Sequence, residues 1–117
     1  MSIISVKPEI TFDEFLEIES KLDIRIGTIL DVERIPKSDK LLKMTVYFGS
    51  EERTVVTNIG DALTQPLIDL PGLKFPFIMN LKPSKIMGVL SEAMIMVVEN
   101  NDGDIELDDY TSGSILL

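Results

Sequence analysis

The first regular pattern along the chain is a short run of apolar residues at helical spacing. Three side chains occupy positions i, i+3 and i+4 of one helix face: Phe12, Phe15 and Leu16. Thr11 and Glu14 have the spacing of a capping box, in which the threonine hydroxyl accepts from the amide of residue 14 and the glutamate reaches back to the amide of residue 11. The pattern predicts a helix over residues 12–20 after an irregular lead-in.

The period of the apolar positions changes to two from residue 22 onwards. One face of the predicted strand carries aliphatic residues and a threonine: Leu22, Ile24, Ile26, Thr28, Leu30 and Val32. The other face is mostly charged, and this alternation is typical of a half-buried strand. A glycine inside such a strand, here Gly27, indicates a bulge or a sharp bend that lets a long strand curl into a small barrel.

Strand-like patterns recur in the rest of the chain. They predict four further strands, over residues 42–48, 53–57, 73–79 and 93–98. The first two of these form a hairpin, and the last is a continuous apolar run expected to be buried. Residues 60–72 interrupt the strands and hold one helical turn between two prolines, whereas Pro76 indicates an edge position or an irregular stretch of the fourth strand.

These elements predict an all-β fold, a five-stranded OB-fold barrel with a short N-terminal helix and C-terminal extension strands. The length of 117 residues fits one domain over 1–117, with 1–20 as lead-in and helix and 99–117 as the extension. A generic all-β barrel is the alternative, and a fold alone does not establish a function.

Composition excludes most catalytic chemistry. The chain contains no Cys, no His and no Trp, so disulfides, thiolate nucleophiles, Ser-His-Asp catalysis and zinc sites built from Cys or His are ruled out. No carboxylate pair stands out as an acid–base dyad, and the turn over 101–104 lacks the spacing of a calcium loop. We therefore expect no enzyme activity, no metal and no cofactor.

The N-terminus does not have the pattern of a signal peptide, and no apolar run is long enough for a membrane span. A cytoplasmic protein without membrane contact is expected.

The distribution of charge matters more than its sum. The net charge of −9 argues against a nucleic-acid partner, because phosphate binding needs positive charge. Residues 21–85, however, hold ten of the eleven basic residues and eight of the twenty acids. An acidic protein with a basic face is therefore compatible with the sequence, as is an ordinary solvated surface.

Two candidate contacts for phosphate lie on or beside the first strand. Arg25 projects from its polar face, where it can meet phosphate or pair with Asp23 or Asp31. Lys37 and Lys40 flank the turn after this strand, at the position where OB folds carry binding loops. The alternative for both lysines is a solvated hairpin turn.

Two more candidates follow the fourth strand. Lys82 and Lys85 are three residues apart beside a proline and make a cationic loop, to which Asn80 adds hydrogen-bonding capacity. Further along, Ser91 can donate to a phosphate or a base edge, and Met94 can offer an apolar platform to a base. The alternatives are a solvated loop for the first group and the barrel core for Met94.

The order of these segments resembles a known family. The sequences LDIRIG (22–27), PKSDKL (36–41), NLKPSK (80–85) and SEAM (91–94) resemble, in that order, the small tRNA-binding domain. This family includes stand-alone dimeric tRNA-binding proteins, the C-terminal domain of many methionyl-tRNA synthetases, the N-terminal part of the phenylalanyl-tRNA synthetase β chain and the CsaA secretion chaperone. The resemblance covers about residues 11–98. It implies an OB fold, a homodimer and structure-selective binding of the tRNA elbow without catalysis.

Carried over position by position, the resemblance implies a tRNA-binding site at Lys40, Asn80, Lys82, Lys85, Ser91, Glu92 and Met94. We expect Lys82 and Lys85 to contact phosphate, Lys40 and Arg25 to widen the basic patch, and Lys37 to offset the base that is lost at Met87. The chain departs from the family pattern in several places. Lys37 replaces a usual Asn, Met87 replaces a frequent basic residue, Ala93 replaces a glycine, and TNI (57–59) replaces SGI.

The main hypothesis is a non-catalytic tRNA-binding homodimer that acts alone or assists an aminoacyl-tRNA synthetase such as methionyl-tRNA synthetase. The alternative is a CsaA-like dimeric chaperone that binds unfolded peptides, which the high apolar content, six methionines and net acidity favour. A third possibility is a relative kept only as a dimerisation module. The apolar helix face and the apolar residues 115–117 are expected to pack either across the two-fold axis or on their own barrel.

Overall fold

The computed structural model describes residues 7–63 and 66–97. Its elements in chain order are the helix α1 (Phe12–Ser20), β1 (Ile24–Arg34), β2 (Leu42–Tyr47), β3 (Glu52–Thr57), a 3-10 turn (Leu67–Asp69), β4 (Lys74–Ile78), β5 (Ser84–Ile86), β6 (Val89–Ser91) and β7 (Met94–Ile95). Five strands form one curled antiparallel sheet in the order β3-β2-β1-β4-β7, and β5 pairs with β6 in a separate hairpin. The predicted five-stranded barrel with its short N-terminal helix is confirmed. The predicted extension strands over 99–117 lie outside the described residues.

The helix α1 begins where its capping signal predicts. The Thr11 Oγ1 accepts from the Glu14 backbone amide at 3.1 Å, which satisfies one of the free amides of the first turn. The Glu14 carboxylate reaches back, but it accepts from the Thr11 hydroxyl at 3.2 Å and not from the backbone amide of residue 11. No residue of α1 is buried, and the rings of Phe12 and Phe15 stack on each other outside the barrel with centroids 6.2 Å apart.

The strand β1 is half-buried, but the face that enters the barrel is the one with Gly27 and Ile29. On the opposite face, Ile24 is 45%, Ile26 61% and Leu30 43% exposed. The register with β2 shifts between Ile29 and Asp31, so the bulge lies at Leu30. The shift turns the following residues over and brings Val32 against the core.

Gly27 itself has a packing role. A Cβ added there would lie 2.5 Å from the Phe48 ring and 2.5 Å from the Val46 side chain, and both of these residues lie on the β2 side of the barrel. The glycine inside β1 therefore makes room for side chains that pack directly against the backbone. Such a close approach is, besides a bulge or a bend, a common reason for a glycine within a strand.

The strand β4 lies inside the sheet, between β1 and β7, and the prediction that Pro76 marks an edge strand is wrong. Pro76 is buried opposite Ile26 of β1, and its carbonyl accepts from the Met96 amide at 3.0 Å. Because the N–H and C=O of one residue point to the same side of an antiparallel strand, the missing donor of the proline faces β7. β7 pairs only with Phe77 and Ile78, so the missing donor removes one half of a single hydrogen-bonded pair at the end of this short ladder.

The last part of the described chain is less regular than predicted. The predicted strand over 93–98 is reduced to β7, and residue 98 lies outside the described residues. The predicted loop over 81–85 leads into the β5–β6 hairpin, whose two-residue turn has positive φ at Met87 (50°) and Gly88 (82°). Positive φ at both central positions is the geometry of a type I′ hairpin turn. The single helical turn predicted between Pro66 and Pro71 is present as the 3-10 turn.

The core lies between the curled sheet and the segment after β4. Its largest fully buried side chains are Phe75, Phe77, Ile29, Leu42, Met44, Leu70, Val46 and Val55. Phe77 packs edge-to-face against Phe48, with ring centroids 5.3 Å apart. Because Phe48 also covers Gly27, this aromatic pair ties β1, β4 and the end of β2 together.

Replacing Gly27 with Ala is expected to destabilise the fold by about 1–3 kcal/mol, because the new methyl group overlaps Phe48 and Val46. Urea denaturation of the purified variant measures this. Val46→Ala provides the partner for a double-mutant cycle, since it removes one of the two overlapping groups. We expect Val46→Ala to cost less in the Gly27→Ala background than in the original chain, and strictly additive costs would contradict the packing role.

Candidate nucleic-acid interface

A groove of about 710 Å³ opens between the end of β3 and the segment that runs from residue 81 to residue 97. Its lining is mostly apolar and includes Leu41, Ile59, Leu81, Ile86, Met94 and Val97. Polar groups enter from Thr57, Asn58, Ser84 and Ser91, and among the described residues Lys82 contributes the charged side chain of the lining. An apolar cleft with a few polar groups and a cation is the usual construction of a binding site.

The two lysines of the 80–85 loop do not share one face. Lys82 lines the groove, as do Ser84 and Ile86 of β5. Lys85 lies between these two residues in the strand, so the alternation of side chains places it on the opposite face of the hairpin. There it is paired with Leu90, which is 50% exposed. The structure therefore separates two lysines that the sequence places in one cationic loop.

The turn after β1 reaches the groove from the other side. The Lys40 carbonyl accepts from the Gly60 amide at 2.7 Å, and the neighbouring Leu41 and Ile59 both line the groove. Lys37, in the same turn, has a φ of 67°. This left-handed conformation suits Asn or Gly better than Lys, which gives a physical reason for the Asn that is usual in the family. Lys82 thus lines the groove itself, and Lys40 precedes the lining residue Leu41 in the chain.

Basic residues in the described part of the chain differ in whether they form salt bridges. Lys21, Arg25, Lys43 and Arg53 form salt bridges with neighbouring carboxylates. Within the described part of the chain, no carboxylate lies within ion-pair distance of Lys37, Lys40, Lys82 or Lys85. An unpaired lysine can bind phosphate without first breaking an existing interaction, so these four lysines, like Lys74, are available to a polyanion.

Arg25 is the paired member of the predicted set. Its guanidinium donates two hydrogen bonds to the Asp23 carboxylate, both at 3.0 Å. The hydrogen bonds with Asp23, and then the negative charge of Asp23, raise the pKa of Arg25 further above its usual value. The structure thus shows the salt bridge with Asp23 that the sequence left as one of two alternatives. Nearby, Glu51 pairs with Arg53 at 3.2 Å.

Ser91 and Glu92 connect the last segment of the chain to β3. The buried Ser91 hydroxyl accepts from the Val56 amide at 2.9 Å and has a carbonyl acceptor in Ala93 at 3.3 Å. The Glu92 amide donates to the Thr54 carbonyl at 2.9 Å, and the Glu92 carboxylate accepts from the Thr54 amide at 3.2 Å. These bonds take the place of a regular strand pairing, so both residues close the barrel beside the groove.

Asn80 is also engaged with the protein. Its Oδ1 accepts from the Asp23 amide at 2.9 Å, and its Nδ2 donates to the Lys21 carbonyl at 2.6 Å. Met94, in contrast, is 53% exposed and lines the groove, whereas its neighbour Ile95 is buried. The alternative that placed Met94 in the core is therefore wrong.

Arg53, which no sequence pattern singled out, also connects β3 to the segment that closes the barrel. Its guanidinium donates to the Met79 carbonyl at 2.9 Å and to the Glu92 carbonyl at 3.1 Å. It thereby joins β3 to Met79, which precedes the segment that forms one wall of the groove, and to Glu92 within that segment. No sequence signal distinguishes this arginine from a solvated one, because both of its main partners are backbone carbonyls distant along the chain.

No helix among the described residues has the length and apolar character needed to cross a membrane. Nor do the described residues bring together three or more side chains of the types that hold metal ions.

The curled five-stranded sheet and its apolar groove define an OB-like domain. Over residues 24–114 the chain matches the family described as "Putative tRNA binding domain", and it belongs to that family. It is thus a tRNA-binding domain related to methionyl-tRNA synthetases.

Curated relatives include two methionine–tRNA ligases. The enzyme of Bacteroides fragilis is 42% identical over 100 residues, which cover 86% of this chain and 14% of that enzyme. The enzyme of Methanocaldococcus jannaschii is 45% identical over 87 residues, covering 74% of this chain and 13% of that enzyme. The chain therefore spans about one seventh of the length of these relatives.

Solved structures agree with this assignment. A MetRS-related protein from Pyrococcus horikoshii superimposes with a TM-score of 0.73 at 37% identity, covering 92% of this chain and 94% of that one. The CsaA chaperone of Picrophilus torridus superimposes with a TM-score of 0.69 at 24% identity, covering 93% of this chain and 99% of that one. The likeness to CsaA shows the shared fold.

Ser91→Ala distinguishes a structural role from contact with RNA. Removing the hydroxyl leaves the buried Val56 amide without its acceptor, so we expect a loss of about 1–3 kcal/mol of folding stability in urea denaturation. Ser84→Ala is the control, because Ser84 is exposed and also lines the groove. A Ser91→Ala protein with unchanged stability and reduced RNA affinity would show that the hydroxyl serves the ligand.

Proposed function

We propose that this chain is a non-catalytic, cytoplasmic module that binds structured tRNA as a homodimer, alone or in the service of an aminoacyl-tRNA synthetase. Methionyl-tRNA synthetase is the partner we favour, because the relatives reported above carry that name. Residues 1–117 act as one binding unit. The observation that carries the proposal is the placement of Lys82 in an apolar groove beside the turn that holds Lys37 and Lys40, with no carboxylate partner for these lysines among the described residues.

The local charge supports a polyanionic ligand in spite of the net charge of −9. Coulomb interactions in physiological salt are screened beyond about 8 Å, so a phosphate at the groove responds mainly to the nearest side chains. These are Lys40 and Lys82, with Lys37 in the adjoining turn. Lys85 and Arg25 extend the positive surface on neighbouring faces, where they meet the backbone of a bound RNA beyond the groove.

The apolar part of the groove supports recognition of RNA structure. A regular duplex presents phosphates and hydroxyl groups but keeps its bases stacked, whereas the loops of a folded tRNA expose unstacked bases. Met94, Leu81 and Ile86 offer an apolar surface of the kind on which an exposed base can pack. We therefore expect a preference for folded tRNA over a plain duplex, with phosphates held by the lysines and a base against Met94.

Ser91 and Glu92 enter this proposal as supports of the site, and Asn80 as a support of the junction between α1 and β1. The hydrogen-bonding groups of all three are occupied by the backbone of the protein, and Ser91 is buried. Ser91 and Glu92 hold the wall that carries Met94, so their replacement affects RNA binding through the shape of the groove.

The double variant Lys40→Ala/Lys82→Ala tests the site. We expect about a tenfold loss of tRNA affinity at low salt, because two charge-assisted contacts are removed. The slope of log affinity against log salt should fall by about 1.4–1.8, the value for two phosphate contacts. Fluorescence anisotropy of labelled tRNA over a salt series measures both, with unlabelled duplex RNA as competitor.

The matched control is Lys21→Ala/Lys43→Ala, which changes the net charge equally but removes lysines that are paired with Glu17 and Glu33. It should leave affinity and salt slope nearly unchanged. Equal losses in both double variants would mean that net charge, and not the groove, controls binding. Displacement of tRNA by the plain duplex at equal concentration would contradict recognition of tRNA shape.

The proposed dimer rests on the exposed apolar surface of α1 and of the outer face of β1, which we call the α1–β1 face. It includes Phe12 (71% exposed), Phe15 (48%), Ile18 (54%), Ile24 (45%) and Ile26 (61%). Exposed apolar residues so close along the chain are uncommon in a monomer and are typical of an interface with a second protein surface.

Phe12→Asp and Ile26→Asp are expected to convert the dimer to a monomer in sedimentation velocity, because each places a carboxylate in the apolar α1–β1 face. Both side chains are exposed, so the fold should survive. Ile68→Asp is the control, since Ile68 is 84% exposed in the 3-10 turn and belongs to neither α1 nor β1. A dimer that withstands both substitutions, or dissociates equally with Ile68→Asp, would exclude the α1–β1 face.

A CsaA-like peptide-binding role is the second candidate, and the apolar lining of the groove favours it. An extended peptide would use the same walls without needing the lysines. Suppression of aggregation of an unfolded client by both the original protein and Lys40→Ala/Lys82→Ala, together with absence of tRNA binding at low salt, would favour this function over the first.

A further inference from the structure

Asn80 occupies an unusual position between the two surfaces described above. Its side chain spans the junction between α1 and β1, while Lys82 of the groove follows two residues later. Its orientation is unambiguous, because a backbone amide on one side requires the oxygen and a backbone carbonyl on the other requires the NH₂ group. Both halves of the amide are used at distances of 2.9 and 2.6 Å.

The helix α1 has little else to hold it in place. None of its residues is buried, so packing does not fix its direction. Among the described residues, the connection from the end of the helix to the segment after β4 consists of the two bonds of Asn80 and a third bond, from the Met79 amide to the Asp23 carbonyl at 2.7 Å. Asp23 is held further by Arg25. The direction in which the chain leaves α1 is thus set by these three hydrogen bonds, which we call the clamp.

We propose that Asn80 is a positioning residue that fixes the direction of α1 relative to β1 and thereby sets the geometry of the α1–β1 face, without contacting RNA. This inference rests on the proposed dimer for its consequence, but the clamp itself is visible in the monomer. An Asn is suited to the position because it offers a donor and an acceptor side by side. Asp has no donor for the Lys21 carbonyl, and Ala has neither group.

Asn80→Ala and Asn80→Asp test the inference in the absence of RNA. We expect the dimer dissociation constant to rise about tenfold in both variants, since each loses one or two hydrogen bonds that orient half of the face. Hydrogen exchange of the amides over residues 18–23 should accelerate about tenfold, while the amides of β2 and β3 keep their rates. Ser50→Ala, in the exposed turn between β2 and β3, is the control and should change neither quantity.

Affinity for tRNA is the quantity that should not change in the Asn80 variants. At protein concentrations that keep every variant dimeric, the Asn80 variants should bind tRNA within twofold of the original protein. A tenfold loss of tRNA affinity with unchanged dimerisation and unchanged exchange would show that Asn80 contacts RNA and would overturn the inference. Unchanged values in all three measurements would overturn it as well, because the clamp would then be dispensable.

Failure of the proposed function gives a different pattern. If the original protein is monomeric or does not bind tRNA, the hydrogen-exchange rates alone test whether Asn80 positions α1. Faster exchange over residues 18–23 in Asn80→Ala and Asn80→Asp then supports the positioning of α1, and unchanged exchange rejects it. Loss of protection throughout β2 and β3 in both variants would also reject it, since Asn80 would then support the whole barrel and not the helix.

Discussion

Closure of the barrel against β3 is the constraint on which the rest of the structure depends. β7 has only two residues, so side chains complete the seam: Ser91 and Glu92 bond to the backbone of β3, and Arg53 of β3 bonds back to two carbonyls. This seam holds the segment with Lys82 and Met94 opposite the end of β3 and so creates the groove. Ser91 and Glu92, which belong to a segment that resembles a binding motif, therefore serve first to close the barrel.

The structure also explains how an acidic domain can belong to a family that binds tRNA. Arg25, Lys43 and Arg53 are each paired with a carboxylate, whereas Lys37, Lys40, Lys82 and Lys85 have no such partner among the described residues. Since salt screens distant charges more than near ones, the arrangement of ion pairs matters more than the net charge. The apolar walls add a second requirement, because they favour RNA whose bases are exposed.

Local signals predicted the local structure well. The capping box placed the start of α1, alternation located the β2–β3 hairpin, and the two prolines delimited the 3-10 turn, because each of these depends on residues a few positions apart. The interior position of Pro76 was not predictable in this way. It is tolerated because the partner strand ends where the proline lacks its donor, and that fact depends on residues twenty positions further along the chain.

The sequence by itself determined the fold class and the family, since these follow from periodicity and from motifs read in order. Only the tertiary structure decided which face of β1 is inside, where the ring of Phe48 requires Gly27 and the apolar alternate face is left outside. It also separated Lys82 from Lys85 and committed Asn80, Ser91 and Glu92 to the backbone of the protein. The physical reason is the same in each case: the partners of these side chains are brought together by the curl of the sheet, and no spacing along the chain encodes them.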